Sequence, residues 1–323
     1  MRLPGYKAPW WLPGAHLQTI LPLTRKGELP PYRRERWETP DGDFIDLDWL
    51  ADAPADAPLV VLFHGLEGSS RSHYARAVMR ALTTRGWRGV IPHFRGCSGE
   101  PNRLARAYHS GDSTEIDWIL RRLHGIAGPA PLFAAGVSLG GNALLKWLGE
   151  QETGAGNVIR GAAAICPPLD LTVSGHALAR GFNAVYTRHF LNTLKGKALH
   201  KLARYPALFD GQRIRQAGTL FEFDDVYTGP VHGFSGAADY WRRASSRPWL
   251  AAIRAPTLLL CAANDPFVPP AALPTARELS AAVHFECAAQ GGHVGFLDSP
   301  WPGSLGWLPQ RLLQHFDAVL SDG

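Results

Sequence analysis

The chain has 323 residues, 46% of them hydrophobic and 19% charged, with a formal net charge of +5. That is enough for one large α/β core with an insertion, and the cationic excess is spread out, with only Arg33, Arg34 and Arg36 clustered; no nucleic-acid-binding motif accompanies it, so no nucleic-acid partner is expected. Cys97, Cys166, Cys261 and Cys287 lack metal-type spacing and read as reduced, mostly buried thiols. No apolar run reaches membrane-spanning length and the first residues lack a signal-peptide pattern, so the expected location is cytoplasmic.

Residues 1–30 contain Pro4, Pro9, Pro13, Pro22 and Pro30, which forbid a long helix. They are also rich in Trp and Leu, so they read as an ordered arm in which Trp10, Trp11 and the stretch His16 to Leu21 pack across another surface. Alternation over Arg34–Thr39 and Phe44–Leu50, around a turn at Pro40 to Asp43, predicts a β-hairpin, and 51–58 reads as a linker. Leu59–Phe63 is wholly apolar, as a strand buried on both faces must be, and ends in His64-Gly65-Leu66-Glu67-Gly68. A helix over Ser72–Arg85 closed by Gly86, a strand over Trp87–Pro92 and a helix over Asp112–Leu123 follow. Strands are expected again at Pro131–Ala135 and Val158–Cys166, with a helix from Asn142 between them. This alternation predicts a mostly parallel sheet with helices on both faces.

Residues 169–247 break the rhythm. Helical pieces at Leu191–Leu202 and Tyr240–Ala244 and aromatic stretches around Leu220, Phe221 and Phe234 read as a cap over the C-terminal ends of the strands. The expected division is 1–168 for the arm and first part of the core, 169–247 for the cap, and 248–323 for the rest of the core. A strand over Pro256–Cys261, a helix over Ala271–Leu279, a strand over Ala282–Cys287 and a terminal helix over Trp307–Leu320 complete the chain.

Between the strand ending near Ala135 and the helix that follows lies Gly136-Val137-Ser138-Leu139-Gly140, a Gly-x-Ser-x-Gly motif in the strand–turn–helix context a nucleophile elbow needs. Asp265 and His293 each follow the end of a later strand. A serine hydroxyl needs a base to take its proton, and the base needs an acid to orient it. Ser138, Asp265 and His293 stand in that order along the chain and are the expected catalytic residues. Glu286 and Asp298 are the other acids near this histidine. The backbone N–H groups of Leu66 and Leu139 are the expected oxyanion donors, each worth on the order of 3 kcal/mol in the transition state. His64, Leu220, Phe221 and Phe234 are the expected substrate contacts. The glycines lack dinucleotide-binding and P-loop spacing, and no metal-ligand spacing occurs; neither cofactor nor metal is expected.

Taken together, the sequence resembles the α/β-hydrolase superfamily and, within it, the YheT-like family of predicted esterases. The resemblance rests on His16-Leu17-Gln18-Thr19-Ile20, the His64 to Gly68 loop, Arg95-Gly96-Cys97-Ser98-Gly99, Gly136 to Asn142, Phe223-Asp224-Asp225, Gly233-Phe234, Tyr240, Asn264 to Phe267 and Gly292 to Phe296. Asn264 departs from relatives that carry a second Asp there. The resemblance implies an α/β-hydrolase fold with a cap insertion and a serine carboxylesterase acting on small acyl esters. Two alternatives are acyl transfer to an alcohol, for which His293 and Asp298 form a His-x4-Asp pattern, and a non-catalytic binding protein on the same fold. Relatives acting on lipid esters imply contact with a membrane surface, for which the Trp10-Trp11 arm is the candidate. Oligomeric state is not legible.

Overall fold

The computed structural model describes residues 5–25, 27–51, 53–298 and 300–321. The first four residues of the expected arm, Pro4 among them, and Asp52 of the expected linker lie outside the described residues. The arm carries one short helix, α1 (Ala15–Ile20), continued by a 3₁₀ turn over Leu21–Thr24 that accommodates Pro22. The hairpin is β1 (Tyr32–Glu38) and β2 (Phe44–Leu50). The alternation follows as β3 (Leu59–Phe63), α2 (His73–Arg85), β4 (Arg88–Pro92), α3 (Ser113–Ala127), β5 (Leu132–Val137), α4 (Leu139–Gln151) and β6 (Gly161–Ile165). Helix α2 ends at Gly86 in the left-handed conformation, and Asp112 caps α3 by accepting from the Glu115 amide.

Six helices then lie between β6 and the next strand: α5 (Leu171–Leu178), α6 (Asn183–Arg204), α7 (Gly211–Gln216), α8 (Leu220–Phe223), α9 (Gly229–Val231) and α10 (Ala237–Ala244). A π-helical turn over Asp224–Thr228 joins α8 to α9. The core resumes with β7 (Thr257–Ala262) and β8 (Val283–Ala288) and ends in α11 (Trp307–Ser321). The helix expected over Ala271–Leu279 does not form. Two 3₁₀ turns stand there instead, Pro270–Ala272 and Ala276–Glu278, because Pro274 removes a backbone donor and disfavours helical geometry in the residue before it.

The eight strands form one sheet in the order β1-β2-β4-β3-β5-β6-β7-β8. The hairpin joins it through an antiparallel β2–β4 pairing, and the other core pairs are parallel. Buried apolar side chains fill both faces. One set packs under α3 and α4, including Leu59, Val61, Ile119 and Trp147; the other under α2 and α11, including Val60, Leu62, Met79 and Phe316. Each such side chain contributes about 1.5–3 kcal/mol by leaving water. β2 is more buried than its alternation predicts. Its Asp46 and Asp48 are covered, each bound by a β1 arginine: Arg36 Nε donates to Asp46 and Arg34 Nε to Asp48, both at 2.7 Å.

Candidate active site

Ser138 sits where β5 turns into α4, with a φ of 52° that few non-glycine residues adopt. The flanking glycines are there for space. A Cβ on Gly136 would lie 2.5 Å from the Gly140 carbonyl oxygen, and one on Gly140 would lie 2.5 Å from the Phe63 carbonyl oxygen. The strained turn is held by the Ser138 amide, which donates to the Ile165 carbonyl of β6 at 2.8 Å.

Asp265 follows β7 and is buried. Its Oδ1 accepts from the Phe267 and Val268 amides at 2.8 and 3.3 Å, which aims Oδ2 at His293. His293 follows β8. Its Nδ1–H donates to Asp265 Oδ2 at 2.8 Å, leaving Nε2 to accept from Ser138 Oγ at 2.9 Å. Residues 138, 265 and 293 are thus brought into one hydrogen-bonded line, and Phe267 stacks on the imidazole with ring centroids 4.2 Å apart. The Cys166 thiol lies within 4.8 Å of the Asp265 and His293 donor atoms. Both imidazole nitrogens are already engaged, and burial holds this thiol protonated, so the trio does not make a metal-ligand set. Glu286 is bound by Arg311 and Asp298 accepts from Ser304, so neither reaches the imidazole.

The His64–Gly68 loop passes beside the serine: a Cβ on Gly65 would lie 3.3 Å from Ser138 Cβ. The loop is fixed by two tyrosine hydroxyls, Tyr74 accepting from the Gly65 amide at 2.8 Å and Tyr108 from the Glu67 amide at 3.0 Å. Among the described residues, no protein acceptor takes the Leu66 or Leu139 amides. Glu67, with a φ of 54°, accepts on Oε1 from the Tyr108 hydroxyl and from Lys197 Nζ of α6, both at 2.8 Å.

A cavity of about 400 Å³ opens onto Ser138 and His293. Its walls come from the core loops, as Leu66 and Tyr108, and from α5, α6, α8 and α10, as Leu178, Leu194, Leu220 and Trp241. Three expected substrate contacts stand elsewhere. His64 is fully buried beneath the loop, accepting on Nε2 from the Phe94 amide and donating from Nδ1 to the Gly65 carbonyl; burial pushes it down to about 3, so it stays neutral. Phe221 packs on Trp241 and His176, and Phe234 on His109 and Tyr240. Leu220 does line the cavity.

Sequence reasoning missed the residues that hold the histidine loop. Thr19 Oγ1 accepts from the His293 amide at 2.9 Å, and Gln18 Oε1 accepts from the Gly291 amide at 2.9 Å and from Asn264 Nδ2 at 2.8 Å. Both belong to α1. The arm motif His16 to Ile20 was the signal available, but its spacing alone carries no contact.

Residues 58–300 match the sequence family described as alpha/beta hydrolase fold. The chain belongs to the α/β-hydrolase fold family. Within it, this hydrolase is YheT-like: it is 41% identical over 92% of its length, and 88% of the other protein's, to "Putative esterase YheT" of Escherichia coli (strain K12). It is also 27% identical to Phospholipase ABHD3 of Homo sapiens, over 98% of this chain and 80% of that one. Among solved structures, esterase Pf2001 of Pyrococcus furiosus superposes with a TM-score of 0.56 over 90% of this chain and 92% of its own, at 15% identity, a likeness of fold.

Proposed function

We propose that this α/β hydrolase is a serine carboxylesterase that cleaves acyl esters through an acyl-enzyme. The observation that carries the reading is the unbroken line from Asp265 through His293 to Ser138 Oγ, opening onto an apolar-walled cavity. Ser138 Oγ attacks the ester carbonyl carbon as its proton passes to His293 Nε2, and Asp265 stabilises the imidazolium that forms. The carbonyl oxygen becomes an oxyanion and takes the unclaimed Leu66 and Leu139 amides, the latter at the N-terminus of α4. His293 returns the proton to the departing alcohol, leaving the acyl group on Ser138. It then deprotonates a water whose attack releases the acid and restores the serine. An alcohol entering in place of water gives acyl transfer by the same steps.

Residues 169–247 act in this reading as a cap whose apolar side chains hold the acyl portion. The names of the relatives, an esterase and a phospholipase, agree with ester or lipid-ester substrates. The test is hydrolysis of p-nitrophenyl esters of graded chain length beside Ser138→Ala. The variant is expected to lose on the order of 10⁵-fold in kcat, and a fluorophosphonate probe to label the parent at Ser138 only. Turnover that survives Ser138→Ala, or a parent that is neither labelled nor active, sinks the reading.

A further inference from the structure

Most of the large apolar side chains that remain exposed gather on one side of the molecule. Trp10 is 92% exposed and Trp301 67%; Leu17, Ile20 and Leu23 of the arm and Phe182 and Val185 at the start of α6 are exposed with them. Ring contacts stitch these segments into one surface. Trp11 meets Trp301 edge-on at 5.0 Å, His16 lies 4.4 Å from Phe182 between ring centroids, and His16 Nδ1 is 3.1 Å from the Tyr186 hydroxyl. Single exposed apolar residues need no explanation, but a joined group of this kind marks a docking face.

The charge around this face is mainly positive, and Asp298 of the Trp301 segment is bound by the Ser304 hydroxyl. Neither residues 1–27 nor α6 contains an Asp or Glu. Lys7 stands on the arm, the Arg25 guanidinium lies 5.8 Å over the Trp301 ring, and exposed Arg180 and Arg188 flank Phe182 and Val185. Tryptophan and aliphatic side chains set among cations in excess of acids match the headgroup zone of an anionic bilayer. A second copy of the chain would bring one cationic rim against another. The face also lies close behind the candidate site: Tyr186 packs on Phe267 at 4.8 Å, and Phe267 on His293 at 4.2 Å.

We propose that this face docks on an anionic phospholipid bilayer, with Trp10, Leu17, Ile20, Phe182 and Trp301 entering the headgroup layer and Lys7, Arg25, Arg180 and Arg188 meeting lipid phosphates. The test is co-sedimentation of the full chain with vesicles of equal parts phosphatidylcholine and phosphatidylglycerol, and with vesicles of phosphatidylcholine alone. Binding is expected to the anionic vesicles, at least about tenfold weaker to the neutral ones, and weaker again as salt rises from about 0.1 to about 0.5 M. Trp10→Ser with Val185→Ser, and separately Arg180→Gln with Arg188→Gln, should each lower binding about tenfold while hydrolysis of a water-soluble ester stays at the parent rate. Ser138→Ala should bind as the parent does, which separates this proposal from the catalytic one. Absence of binding by the folded parent, binding indifferent to both double variants, or a dimer that Trp10→Ser dissociates would each overturn it.

Discussion

Asp224 shows what a single buried carboxyl does in this molecule. It borders the cavity, its Oδ2 accepts from Trp241 Nε1 at 2.8 Å, and it pairs with no cation among the described residues. Burial raises it from 3.8 to about 6, because the charged form is the one that loses water. In the unfolded chain the same group ionises near its ordinary value. The contribution of Asp224 to stability is therefore greatest below about pH 4, is lost as pH rises from there to about 6, and stays absent above it. Asp224→Asn keeps an oxygen for Trp241 and removes the ionisation. It should raise stability at about pH 8 by up to about 3 kcal/mol and change little at about pH 4, as urea unfolding at the two pH values would read. A stabilisation equal at both would show that charge is not the cause. His64 teaches the complementary lesson. Its place before a glycine at a strand end reads as a ligand contact, whereas its two nitrogens satisfy the backbone of the loop itself.

At the scale of elements, α6 reaches across to the loop that carries Leu66. Lys197 Nζ meets Glu67 Oε1 at 2.8 Å, and Glu67 is the strained residue immediately after that amide. Removing the cation leaves Glu67 held by Tyr108 and the Cys97 thiol and frees the loop to shift. Lys197→Met should lower kcat about tenfold with KM nearly unchanged, and Lys197→Arg should recover most of the loss, since the proposed oxyanion donor Leu66 would act on the transition state and not on the bound ester. Loss confined to KM would place Lys197 in substrate binding instead. Core elements such as Leu59–Phe63 and Ser113–Ala127 are legible in the sequence, the strand as a short apolar run and the helix as an amphipathic one. Helix α6 begins at Asn183, well before the expected Leu191, because it lies at the surface and its first turns carry little apolar periodicity to mark them. Pro274 stands inside the helix expected over Ala271–Leu279 and marks the break between the two 3₁₀ turns that replace it. Hydrogen bonds such as Thr19 to His293 join parts of the chain 274 residues apart and leave no periodic trace.

For the whole molecule, three histidines, His64 fully buried and His109 and His315 partly so, oppose acid. Burial lowers His64 to about 3, and His109 and His315 to about 4. Unfolded, each takes a proton below 6.5; folded, each resists it, so their stability is complete above that pH and drains away as pH falls toward 4. The urea midpoint should drop as pH falls from about 7 to about 5. A midpoint that rises over that interval would show that the raised carboxyls, Asp224 and Glu115, outweigh the histidines. The seat of His293 has a consequence in time. The ribosome makes Gln18 and Thr19 long before Gly291 and His293, yet the two ends must meet for the imidazole to be held. On the proposed mechanism, a nascent chain that has already formed the serine turn still lacks its base, so the site would stay inert until His293 has been made.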